Sequence, residues 1–162
     1  YARLIPGEEN SGKLVALVRQ KAKVLAEEKA LKYIITDGPP GIGCPVISSL
    51  SGAAMALLVT EPTVSGVSDL ERVAGVCKYF HVPAAVCINK YDLNEEIGRE
   101  IERYCSQRGI ELIGKLPFDE VFIEAISRGV PVVEVDRGNI KDEIERMWNT
   151  IVTRVEINRK RR

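Results

Sequence analysis

Four short apolar runs, separated by stretches of helical periodicity, constrain this chain more than any other feature of it. They are KYIITD (32–37), AAMALLVT (53–60), AAVCIN (84–89) and IELIGKLP (110–117). Each is short, rich in aliphatic or β-branched residues, and nearly free of polar alternation. A strand that is apolar on both faces has to be buried on both, which is the situation of a parallel sheet covered by helices. The intervening segments supply those helices. Residues 11–30 put Leu14, Leu17, Val18, Ala22 and Leu25 on one face, and further helices are expected over about 67–80, 95–108 and 119–129. VPVVEV (130–135) is a short apolar run, and a last helix starts near Asn139 with Ile140, Ile144, Met147, Trp148 and Ile151. ARLI (2–5) reads as a short strand ahead of the first helix. The expected fold is α/β, a doubly wound, mainly parallel sheet with helices on both faces. It forms one domain over 1–162, of which 137–162 is a C-terminal helix and basic tail.

A chain of 162 residues can bury a substantial core in one domain. Its formal net charge is zero and its only basic cluster is Arg159-Lys160-Arg161-Arg162, so nothing points to nucleic acid. No apolar run approaches the length of a membrane span and no signal peptide is visible, which leads to the expectation of a cytoplasmic protein. Cys44, Cys77, Cys87 and Cys105 form no C-x-x-C pair and have no histidine beside them, the opposite of what a zinc or iron–sulfur site within one chain requires. Cys77 and Cys87 fall on apolar positions and read as core thiols. Cys44 lies in a Gly/Pro-rich loop, where a reactive thiol is conceivable. His81, the single histidine, precedes Val82-Pro83 and has no catalytic partner in view.

The opening PGEENSGKLV (6–15) tests how far a motif can be trusted. Gly7 to Lys13 fits the G-x-x-x-x-G-K frame of a phosphate-binding loop, yet Leu14 stands where a Ser or Thr should reach magnesium. Glu8 and Glu9 would sit inside a cradle built for anions. The same residues read as the end of a strand at Pro6-Gly7 and a helix capped by Asn10 or Ser11, with Lys13 in its first turns. An unorthodox anion or partner contact stays open.

In a doubly wound sheet, ligands bind beyond the carboxyl ends of the strands, so the loops that follow strands are the ones to read. The first is Asp37-Gly38-Pro39-Pro40-Gly41. A carboxylate at the end of a strand can hold a water of a magnesium ion, and the Gly/Pro loop after it could respond to loss of a γ-phosphate. The other reading is a tight turn with Asp37 as a helix cap. The second loop, Asn89-Lys90-Tyr91-Asp92, matches by letters the N-K-x-D motif with which GTPases recognise guanine. The D-x-x-G partner of that motif is lacking, because Gly41 falls one place late, and an Asx-turn leading to a helix capped near Asn94 explains the same residues. The third loop is Leu116-Pro117-Phe118-Asp119, whose backbone could line the edge of a purine.

Taken in order, YIITDGPPGIGCPV, LLVTEPTVSGVSDLERV, VCINKYDLN and IGKLPFDEVFIEAISRGVPVVE resemble consecutive blocks of the MinD/ParA/Mrp class of deviant P-loop ATPases. PGEENSGKLV joined to DGPPGIGCPV resembles, more narrowly, the MinD-superfamily ATPases with an inserted ferredoxin domain. The resemblance covers residues 4 to about 136. It implies a P-loop NTPase fold, ATP and Mg2+ as ligands, and a homodimer with the nucleotide at its interface. It also implies a switch loop that signals hydrolysis to a partner, here an iron–sulfur or redox protein. Carried over by position, Asp37 is the catalytic and magnesium-side acid and Gly38 to Gly41 the switch loop. Asn89, Lys90 and Asp92, with Pro117, Phe118 and Asp119, surround the base. The family's K-G-G-x-G-K-T loop, the first strand before it and the cysteine-rich insertion that holds the iron–sulfur clusters are not in this sequence. The chain is therefore expected to be the C-terminal portion of such an ATPase, inactive in isolation. The competing expectations are a non-catalytic α/β binding or dimerisation module and a GTP-specific enzyme that uses the 89–92 tetrad.

Overall fold

The computed structural model describes residues 11–135 and 138–160. In chain order the elements are α1 (Ser11–Glu28), α2 (Cys44–Leu50), β1 (Ala56–Thr60), α3 (Val64–Tyr79), β2 (Ala84–Asn89), a 3-10 turn (Tyr91–Leu93), α4 (Glu95–Arg108), β3 (Glu111–Leu116), α5 (Val121–Arg128), α6 (Val132–Val135) and α7 (Asn139–Lys160). The strands expected at 53–60, 84–89 and 110–117 all form and pair in parallel in the order β1-β2-β3. Alternation along β2 shows why its sequence is apolar throughout. Val86 and Ile88 meet Leu70 of α3 and Ile101 and Cys105 of α4, while Ala85 and Cys87 meet Ile113 of β3 and Met147 of α7. Helices thus cover both faces, and the fold class is α/β as expected. Local chemistry sets the helix ends. Thr63 Oγ1 accepts the Gly66 N–H (3.0 Å) to cap α3, Asn94 Oδ1 accepts the Ile97 N–H (3.1 Å) to cap α4, and Gly109 takes the left-handed conformation (φ 65°) that ends α4.

The two edges of the sheet are treated differently. At β3 the outward Lys115 N–H donates to Glu143 Oε1 (3.1 Å), and Arg146 Nη2 donates to the Ile113 carbonyl (2.9 Å), so an acid and a base on α7 stand in for a neighbouring strand. Arg146 also donates to Glu143, and this holds the Glu143 carboxyl below its ordinary value of 4.5. Arg154 forks onto Glu111 with contacts of 2.9 and 3.0 Å. Gly114 lets α7 come close, since a Cβ there would lie 1.9 Å from Met147 Sδ. No described residue pairs with the other edge, at β1. On the α7 side of the sheet, Leu57 is 40% and Val59 61% exposed.

KYIITD departs from expectation: residues 31–39 form no strand. An extended segment needs a neighbouring backbone to close a ladder, and no described residue supplies one. Ile34 and Ile35 are accordingly exposed, and the segment is tied down by Tyr33, which meets Trp148 of α7 edge-on at 5.6 Å and donates to Glu156 Oε1 at 3.4 Å. The expected apolar face of α1 is also only partly covered, with Leu17, Val18 and Leu25 exposed. What anchors α1 is polar. Arg19 Nη1 donates to the carbonyls of Ser48 (2.6 Å) and Ser51 (2.5 Å) at the end of α2, and α2 in turn buries Val46 and Leu50 against Ala56, Cys77 and Val82. The expected ARLI strand lies outside the described residues, as does most of the Gly7–Lys13 motif; Lys13 itself is exposed on the first turn of α1.

Candidate functional site at the carboxyl end of the sheet

Parallel pairing brings the strand ends together, with Thr60 opposite Ile88 and Asn89 opposite Leu116. Three loops therefore leave the sheet side by side, beginning at Glu61, Lys90 and Pro117. Thr60 is buried, and its hydroxyl donates to the Gly66 carbonyl at 3.0 Å. Gly66 is needed there because a Cβ would come within 2.2 Å of the Glu61 carbonyl, so the start of α3 folds tightly over the first loop. Glu61 was not singled out in the sequence, although an acid immediately after an apolar strand is the same cue that marked Asp37.

The central strand binds the loops on either side of it. Lys90 has a left-handed backbone (φ 53°, ψ 43°), which is uncommon without glycine, and its Nζ lies 2.7 Å from Glu61 Oε1. Asp92, in the 3-10 turn, accepts the Phe118 N–H at 2.7 Å through Oδ1. Asp119 accepts the Val121 N–H at 2.8 Å and closes the turn into α5. Phe118 is half exposed at the rim, and Asn89 and Pro117 are half buried beside it. The structure thus gathers Asn89, Lys90, Asp92, Pro117, Phe118 and Asp119 into one ledge and adds Glu61. Lys90 and Asp92 of this ledge both contact neighbouring loops of the protein.

Asp37 stands apart from this ledge. It is exposed, with no hydrogen bond or ion pair from a described residue, and it does not cap α2, whose N-cap position is Gly43. Its loop still has the shape its sequence suggested, with Gly41 at φ 88°, a conformation that L side chains rarely adopt. A free carboxylate beside a glycine-bearing loop suits magnesium, which keeps most of its waters and takes one or two carboxylate oxygens. No group of three or more His, Cys, Asp and Glu side chains placed to hold a metal occurs among the described residues. No described helix is long and apolar enough to cross a membrane.

No protein-family profile matches the chain. An uncharacterised protein of Methanocaldococcus jannaschii is 36% identical over 94 residues, 58% of this chain and 33% of that protein. The septum site-determining protein MinD of Bacillus subtilis is 27% identical over 135 residues, covering 80% of this chain and 50% of its own length. An iron–sulfur cluster carrier protein of M. jannaschii is 27% identical over 139 residues, covering 78% and 48%. The chain is thus similar to MinD and to iron–sulfur cluster carrier proteins. Its fold agrees: the MinD cell division protein of Aquifex aeolicus superposes with a TM-score of 0.70 at 21% identity, over 86% of this chain and 61% of that one. The chain spans about a third to a half of the length of the curated relatives it matches.

Proposed function

We propose that this chain is the nucleotide-responding portion of a cytoplasmic ATPase that binds and hydrolyses ATP with Mg2+ and couples turnover to an iron–sulfur or redox partner. The observation that carries the reading is the ledge itself, with three strand-end loops drawn together at the carboxyl edge of a parallel sheet in a chain related to MinD and iron–sulfur carrier proteins. The open edge of β1 and the bare face around Leu57 and Val59 suit a further parallel strand, on which a phosphate-binding loop would arrive beside Glu61 and Asn89. In this reading Asp37 holds a magnesium-bound water, residues 38–41 follow the state of the terminal phosphate, and Asn89 with Pro117 to Asp119 borders the base. Magnesium, when bound, neutralises charge that develops on the phosphates. A second copy of the protein is proposed to complete the nucleotide site. The finer grouping with ATPases that carry a ferredoxin insertion belongs to the same proposal.

The 162-residue chain alone should release no phosphate from ATP, because it places no lysine and hydroxyl around the β- and γ-phosphates. Magnesium-dependent release abolished by Lys13→Ala would overturn this and make the opening motif a real phosphate loop. In a longer protein that holds both this segment and a phosphate-binding loop, Asp37→Asn should lower turnover roughly tenfold to a hundredfold and leave nucleotide affinity within about threefold. Unchanged turnover would reduce Asp37 to a loop residue.

The exposed face of β1 favours a second reading, a docking module with no chemistry of its own. The Asp37→Asn measurement in the longer protein separates the two, since a docking module leaves turnover unchanged.

A further inference from the structure

We infer that Asp92 is a positioning residue that locks the 117–119 loop in place, so that the N-K-x-D letters of this chain act as a brace and do not read guanine. The inference rests on the nucleotide reading above and specifies its base selectivity. Guanine selection requires a carboxylate whose oxygens face out of the loop toward the base N1–H and exocyclic amine. Here one oxygen of Asp92 already accepts a short bond from the Phe118 amide at 2.7 Å, across 26 residues of chain. The neighbouring tetrad residue does the same on the other side, since Lys90 leans onto Glu61 of the first loop. One tetrad therefore straps the central strand to both flanking loops. Its charged side chains satisfy protein groups, and the backbone of Lys90 is left-handed. Beside these straps lie the Pro117–Asp119 segment and the half-exposed ring of Phe118, a face that suits any purine.

The test compares Asp92→Ala with Asp92→Asn. An asparagine carbonyl can still accept the Phe118 N–H, whereas its amide group puts a donor where the carboxylate offers guanine a second acceptor oxygen. In the 162-residue chain, amide exchange followed by NMR should show Phe118 protected in the wild type and in Asp92→Asn, and exchanging about tenfold faster or more in Asp92→Ala. In the longer nucleotide-binding protein, competition between ATP and GTP at fixed magnesium should give Asp92→Asn wild-type affinity for both. Asp92→Ala should weaken both, with their ratio held within about twofold. If Asp92→Asn keeps Phe118 protected but collapses a preference for GTP, Asp92 reads the base and the inference fails. If Phe118 is equally protected in wild type and Asp92→Ala, the brace fails. If the wild type binds neither nucleotide, the nucleotide reading and the selectivity clause fall together, while the exchange comparison still decides the brace.

Discussion

Cys44 and Cys87 carry the same thiol and differ in what surrounds it. Cys87 is 1% exposed at the centre of the sheet, and burial, reinforced by the nearby Glu143 carboxylate, pushes its pKa up to about 11. Since the thiolate is the reactive form, it is inert at neutral pH. Burial likewise raises Cys77 and Cys105. Cys44 is exposed at the start of α2, on the side that the bare Gly12 of α1 approaches. Iodoacetamide at pH 8 should therefore label Cys44 in the native chain and leave the other three until urea is added, as read by peptide mass spectrometry. Labelling of Cys87 at a comparable rate would mean that the sheet opens far more readily than its packing indicates. The sequence already separated Cys44 from Cys77 and Cys87, because apolar neighbours at strand or helix spacing imply burial. It held no comparable indication for Lys90 and Asp92, whose partners lie in other loops and are set only by strand pairing.

At the scale of elements, the most exacting contact is between β3 and α7. Gly114 has no positive φ, so its reason is space: a methyl group would run into Met147 Sδ at 1.9 Å and Cγ at 2.6 Å. Gly114→Ala should cost roughly 1–3 kcal/mol through overpacking, measured by urea unfolding with Trp148 fluorescence as the probe. The penalty should shrink clearly in a Met147→Ala background, because the two changes share one volume. Equal penalties in both backgrounds would place the cause elsewhere. Helix α7 could be predicted from its apolar spacing, and the structure adds that Glu143 and Arg146, which the sequence did not single out, close the outer edge of β3.

The whole molecule is asymmetric. One edge of its sheet is plugged by α7, while no described residue pairs with the edge at β1, and Leu57 and Val59 on its α7-side face, like Ile34 and Ile35, are exposed. Unpaired strands with apolar side chains are templates for association. The 162-residue chain should therefore associate in a concentration-dependent way in sedimentation experiments, and Val59→Lys should shift it toward monomer without lowering its helix content. A wild-type chain that stays monomeric at high concentration would mean that this face is covered by residues outside those described.

The sequence by itself determined the α/β class, the three parallel strands, the helices between them and the loops worth reading. Each of these follows from short-range information: the period of apolar residues, capping side chains, and glycines at helix ends. It also placed the candidate residues at strand ends, where a parallel sheet concentrates them. Only the tertiary structure decided that KYIITD would lie extended without joining the sheet. Strand character is a property of a pair, and periodicity records only one member of it. The partners of the tetrad are a second case. Local sequence did not show that the registers of β1, β2 and β3 bring Glu61 within reach of Lys90 and the Phe118 amide within reach of Asp92.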